Sequence, residues 1–174
     1  MRKLFMSMLA FVASVAALAQ NTETFKPYKN TALRLPSVPL VVSDPYFSIW
    51  SPYDKLTDGD TRHWTNDEKP LEGLLRVDGK TYRFMGSSER SASENSSSHA
   101  DVQTAKQKSV SVLATSTYYT FACGPVDLDV VFTAPMLIND YDLLSSPVNY
   151  ISYQVRSTDN KAHDVQFYLG ASTL

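Results

Sequence analysis

Five side chains frame the functional question: Trp50, Asp58, Arg62, His63 and Trp64. Arg62, His63 and Trp64 are consecutive and follow Asp58 and Asp60 on one stretch. A carboxylate, a guanidinium, an imidazole and an indole gathered on one loop make a site for a polar ligand. An indole face stacks on a sugar ring or an amide, and a guanidinium clamps a carboxylate through two parallel hydrogen bonds. The competing assignment is structural: Trp64 plugs a sheet edge and Arg62 pairs with a local Asp. Neighbouring strand residues face opposite ways, so the three converge only on irregular backbone.

Asp54, Asp58 and Asp60 raise the question of calcium. Their spacing lacks the alternate-position ligands of a helix-loop-helix calcium loop and fits turn formation better. His99 in a Ser-rich run and His163 in a turn have no partner at metal-ligand spacing, and both are expected in solvent. Cys123 ends the apolar run Tyr118-Tyr-Thr-Phe-Ala-Cys123 and reads as a small buried hydrophobe rather than a reactive thiol. There is no Gly-x-Ser-x-Gly elbow, phosphate-cradling loop or His-Glu-x-x-His pair. No metal, cofactor or catalytic residue is assigned. Asn95-Ser-Ser97 matches the glycosylation acceptor pattern at chance level.

The elements that must carry these residues read as strands. Residues 53–72 form a loop longer than the 12–15 residues or so that compact domains usually carry without a purpose. Before it, Ser43-Asp-Pro45 is a turn and Tyr46 to Trp50 a short strand. After it, Gly73 to Val77 and Lys80 to Met85 flank Asp78-Gly79, a two-residue hairpin turn, with Tyr82 and Phe84 on one face. Ser87 to His99 is a Ser-rich connection.

Alternation then resumes through Val110 and Val112, and through Val126, Leu128, Val130 and Phe132 with Asp127 and Asp129 outward. Ala134 to Pro147 is a loop. Ile151, Tyr153 and Val155 alternate again, and Val165, Phe167 and Leu169 make a last strand. No amphipathic helix follows the N-terminal segment. The fold class is all-β, an antiparallel β-sandwich. The chain stops just after a strand of buried type, which reads as a sandwich incomplete at its C-terminus.

Met1-Arg-Lys3, an apolar run over Leu4 to Leu18 and Ala17-Leu-Ala19 make a signal peptide cleaved after Ala19. The protein is then exported, periplasmic or extracellular, with no membrane segment left. Loss of Arg2 and Lys3 takes the net charge from −2 to −4, which gives no electrostatic case for nucleic acid. One Cys forms no internal disulfide, so stability rests on the core.

Three blocks carry a family resemblance: Val41-Val-Ser-Asp-Pro-Tyr-Phe-Ser-Ile-Trp-Ser-Pro52, Thr61-Arg-His-Trp64 and Leu71-Glu-Gly-Leu-Leu-Arg-Val-Asp-Gly-Lys-Thr-Tyr-Arg-Phe-Met-Gly86. They resemble the N-terminal region of the glutaminase A family. The resemblance implies residues 20–35 as a lead-in, 36–86 as the family's N-terminal segment and 87–174 as the first part of its β domain. It also implies a C-terminal (α/α)₆ helical domain, absent from this chain, as the packing partner. The family activity is hydrolysis of L-glutamine to L-glutamate and ammonia. The ligand implied is glutamine or a glycan, and no catalytic residue is carried over. The alternative is a secreted carbohydrate- or peptide-binding β-sandwich module.

Overall fold

The structure is a computed structural model that describes residues 22–31, 34–87 and 102–172. Among these residues, ten strands form a two-stranded ribbon and two four-stranded sheets. The ribbon pairs β1 (Val38–Val42) with β2 (Ser48–Ser51). Its turn is closed by Asp44, whose Oδ1 accepts from the amides of Tyr46 at 2.7 Å and Phe47 at 2.9 Å. Pro39 is tolerated because the ribbon has free edges and a bulge between Pro39 and Val41.

The first sheet orders β10 (Val165–Ala171), β3 (Leu71–Val77), β4 (Lys80–Met85) and β5 (Val102–Thr104). Asp78 and Gly79 both take positive φ, 50° and 85°, the mirror-image turn whose twist suits a hairpin. The second sheet orders β6 (Lys106–Val112), β7 (Ser116–Cys123), β8 (Val126–Thr133) and β9 (Tyr150–Ser157). The chain changes sheet at the buried Ala105, whose amide bonds the carbonyl of Arg83 at 2.9 Å.

One core lies between the sheets. Leu75, Val77 and Phe84 from the first meet Tyr119, Phe121, Leu128, Val130 and Phe132 from the second. Phe84 packs on Phe121 and Phe167 with centroids 5.6 and 5.4 Å apart. Full burial of a side chain of this size contributes roughly 1.5–3 kcal/mol. Gly73 is obligatory beside Phe84, because a Cβ there would lie 2.4 Å from the ring. Cys123 is fully buried, and burial pushes its thiol up to about 12, so it packs as a hydrophobe.

Several expectations are corrected. β4 and β5 run parallel within an otherwise antiparallel fold. The strand expected from Tyr46 begins at Ser48, because the Asp44 turn holds Tyr46 and Phe47. Within 134–147 there is one helical turn, α1 (Tyr141–Ser145), capped by Asp140, with no buried side chain. Asp129 does face outward from its sheet, yet it is 5% exposed. The lead-in residues Phe25, Lys26 and Pro27 lie over that face, while Thr120 and Arg156 bond the Asp129 carboxylate at 2.8 and 3.0 Å.

His163 is not in solvent. Its side chain is 9% exposed and bridges Asp78 and Asp159, at 2.6 and 2.8 Å, so two turns far apart in sequence are joined. The signal segment, Asn95, His99 and nearly all of the Ser-rich connection lie outside the described residues.

Candidate functional site

The 53–72 loop divides into two halves with different physics. The first half is a cover. Leu56 and Thr57 are buried, the Thr57 carbonyl meets Arg83 of β4, and the loop is pinned there by further polar contacts. The amide of Leu56 donates to Gln107 Oε1 at 2.9 Å, and Gln107 Nε2 returns a bond to the Asp54 carbonyl at 3.1 Å.

Arg83, 4% exposed, reaches up from β4 and donates to the carbonyls of Thr57 and Gly86 and to Thr104 Oγ1. Burial lowers its affinity for its proton, and the charges of Glu72, Asp60 and Asp58 oppose that drop. Asp58 is exposed and lies in the field of this buried cation.

The second half projects. Arg62 returns to the ribbon and exchanges backbone bonds with Trp50 at 2.7 and 2.8 Å, adding one residue of pairing beside β2. Thr61, 1% exposed, locks this turn by donating to the Lys69 carbonyl at 2.5 Å and accepting from the Leu71 amide at 2.8 Å.

The guanidinium of Arg62 bonds the Asn66 carbonyl at 3.0 Å and Glu68 Oε1 at 3.1 Å. Its partner is therefore Glu68 and not an Asp. Such a partly exposed pair contributes about 0–1 kcal/mol. His63 Nε2 and Trp64 Nε1 converge on the Pro45 carbonyl, at 2.9 and 2.5 Å. A carbonyl only accepts, so Nε2 carries the proton in this contact. The two rings are tilted at 44° with centroids 5.5 Å apart.

Trp64 does not plug a sheet edge: 63% of it is exposed, with the indole tethered at its nitrogen. The irregular backbone that convergence requires is present, with Asn66 at φ 76°. It gathers His63 and Trp64 but turns Arg62 away to Glu68.

Trp50 meets Arg62 through its backbone. Its half-buried ring lines a cavity of about 160 Å³ between the ribbon and the second sheet. Among the described residues, no group of three or more His, Cys, Asp or Glu side chains is placed to hold a metal ion. Sequence reasoning missed Arg83 and Thr61, two of the polar groups that hold the loop. Arg83 occupies an alternation position that a two-faced hairpin would leave in water. Only the unusual length of the preceding loop hinted that this face is covered.

The comparisons with known proteins follow the same geography. A domain of unknown function, DUF4964, matches residues 10–93, and another, DUF5127, matches residues 115–174. In the fold the two matched segments are one body, since β10 of the second pairs with β3 of the first along seven residues. Glutaminase A from Aspergillus oryzae (strain ATCC 42149 / RIB 40) is 30% identical over 178 residues, which cover 97% of this chain and 23% of that protein. The chain thus spans about a quarter of the length of the curated relative it matches. No solved structure matches it significantly. Two domain matches in order, and a relative aligned along nearly the whole chain, show that this chain is similar to the N-terminal region of a glutaminase A-like protein.

Proposed function

We propose that this chain is the non-catalytic β-rich region of an exported glutaminase A-like hydrolase, and that it packs against a helical domain which carries the hydrolysis of glutamine. The observation that carries the reading is the distribution of exposed apolar side chains. Among the described residues they concentrate between 136 and 169: Met136, Leu137, Ile138, Tyr141, Tyr150 and Tyr168 are all at least half exposed. These residues lie on the segment before β9, on β9 and on β10, the open edges of the two sheets. Exposed apolar surface of this kind marks an interaction site.

The test is ammonia release from L-glutamine by the 174-residue chain and by a longer protein that contains it. Activity only in the longer protein is expected, and hydrolysis by the 174-residue chain overturns the non-catalytic assignment. Export is tested separately by the mass of the protein recovered outside the cytoplasm, expected to begin at Gln20.

One observation favours the second reading, a carbohydrate- or peptide-binding module. Trp64 presents most of its indole to solvent while its nitrogen is held by Pro45. A stacking platform of that kind costs about 1–3 kcal/mol of binding when replaced by Ala. A glycan and amino-acid panel that the chain ignores eliminates this reading.

A further inference from the structure

We infer that the pocket beneath the lead-in segment binds a small organic acid, a carboxylate on an apolar body, and that Arg156 clamps the carboxylate. This goes beyond the docking role proposed above and rests on other residues. The pocket lies on the outer face of the second sheet. Phe25, Lys26 and Pro27 of the lead-in form one side of it, and Asp129, Gln154 and Arg156 of the sheet form the other. Its volume, about 320 Å³, stands at the lower end of the range for small-molecule sites, roughly 300–1,000 Å³.

Strand register assembles the floor. Thr120 pairs with Asp129 and Asp129 with Gln154, so the three stand side by side on one face. Arg156 follows Gln154 by two positions on the same strand and shares that face. Asp127 stands directly opposite Arg156, but its carboxylate accepts from Lys108.

The Asp129 carboxylate is satisfied within the sheet. Its Oδ1 accepts from Thr120 Oγ1 at 2.8 Å, and its Oδ2 accepts from Arg156 Nε at 3.0 Å and lies 2.8 Å from Nη2. That contact occupies one edge of the guanidinium, the edge of Nε and Nη2. The other edge, formed by Nη1 and the second hydrogen of Nη2, is left without a partner among the described residues. Arg156 lines the pocket and half of its side chain is exposed, so the guanidinium is not sealed in as the carboxylate behind it is. The Gln154 amide group likewise has no side-chain hydrogen bond among the described residues. Lys26 meets the exposed Glu23 at 3.8 Å.

These groups select the ligand. Arg156, Gln154 and Lys26 all offer N–H donors, two of them carry positive charge, and the one carboxylate of the wall is already bonded. What they lack is an acceptor with negative charge. A planar guanidinium edge meets a planar carboxylate through two parallel hydrogen bonds. Asp129, directly behind Arg156, offsets much of its charge and repels a second negative charge, which favours a carboxylate over a phosphate dianion. Phe25 and Pro27 give the body of the ligand an apolar side to lie against.

The probes are naphthylacetate and naphthylacetamide, which have nearly the same shape and differ in that an amide nitrogen replaces one carboxylate oxygen. Affinities are read by titration calorimetry on the 174-residue chain. The place of binding is read from the backbone amide resonances of Thr120, Asp129 and Gln154. The acid is expected to move these resonances saturably. It should bind at least about five-fold more tightly than the amide, which turns one accepting oxygen into a donor and so loses one of the two bonds to the guanidinium edge.

In Arg156→Lys the single ammonium stays with Asp129 and no second edge remains, so the preference for the acid should shrink to about two-fold or less. Resonances that stay fixed, a smaller preference than expected in the unmodified chain, or a larger one than expected in Arg156→Lys each overturns the proposal. The first two outcomes need no variant at Arg156, so a misfolded Arg156→Lys leaves the test intact.

Discussion

The 53–72 loop and the 136–169 surface are opposites in composition and in completeness. The loop is polar, and its groups are satisfied inside the molecule. Arg62 meets Glu68 and Asn66, His63 meets Pro45 and Thr65, and Thr61 meets Lys69 and Leu71. The second region is apolar and uncovered, with Ile138 75%, Tyr141 78% and Tyr168 54% exposed. Polar residues on a long loop attract functional attention, but mutual hydrogen bonding gives them a structural task. Apolar residues between strands look unremarkable in sequence, and their exposure is what asks for a partner.

The contrast is broken most severely at Arg83. Arg83→Ala removes the cation that pins the loop and leaves the carbonyls of Thr57 and Gly86 without their donor. A loss of about 3 kcal/mol is expected by denaturant unfolding, the scale for a broken buried network. A loss below about 1 kcal/mol would mean the first half of the loop is not a cover. Thr61→Val comes next. It preserves shape but orphans the buried Leu71 amide, at a cost of about 2 kcal/mol.

The third test concerns the clasp between the turns. The Asp159 and Asp78 carboxylates hold the His163 imidazolium above its ordinary pKa, and His163 holds both carboxyls below theirs. With the folded value raised, the histidine's contribution is complete below about pH 6.5, the unfolded value. It is lost as pH rises through the folded value. His163→Gln should therefore lower Tm most at mildly acidic pH, and the gap from the unmodified chain should narrow on going alkaline. A gap independent of pH would remove the charge from the clasp.

The smallest effects are expected at exposed positions. Trp64→Ala and Ile138→Asp should each change the stability of the isolated chain by no more than about 0.5 kcal/mol. They should separate in a longer protein containing this region: Ile138→Asp should lower its Tm by weakening the docked face, and Trp64→Ala should not. Equal effects there would erase the distinction between the two regions.

Much of the fold could be read locally. The β3–β4 hairpin was legible because Asp78-Gly79 dictates the turn and alternation dictates the faces. The core positions Val126, Leu128, Val130 and Phe132 of β8 were legible for the same reason. The candidate site was legible only as a composition. Arg62, His63 and Trp64 are neighbours in sequence, yet whether they converge depends on a carbonyl at Pro45 and a carboxylate at Glu68.

What the sequence determined by itself was the all-β class, the alternating faces, the buried Cys123 and the family resemblance, since each depends on residues close together or on motifs. What the tertiary structure decided was the parallel β4–β5 pair, the burial of Arg83 and Asp129 and the clasp at His163. Each of these depends on which distant segment lies across a face. Period-2 alternation says that a strand has two sides, but not what comes to cover the second one.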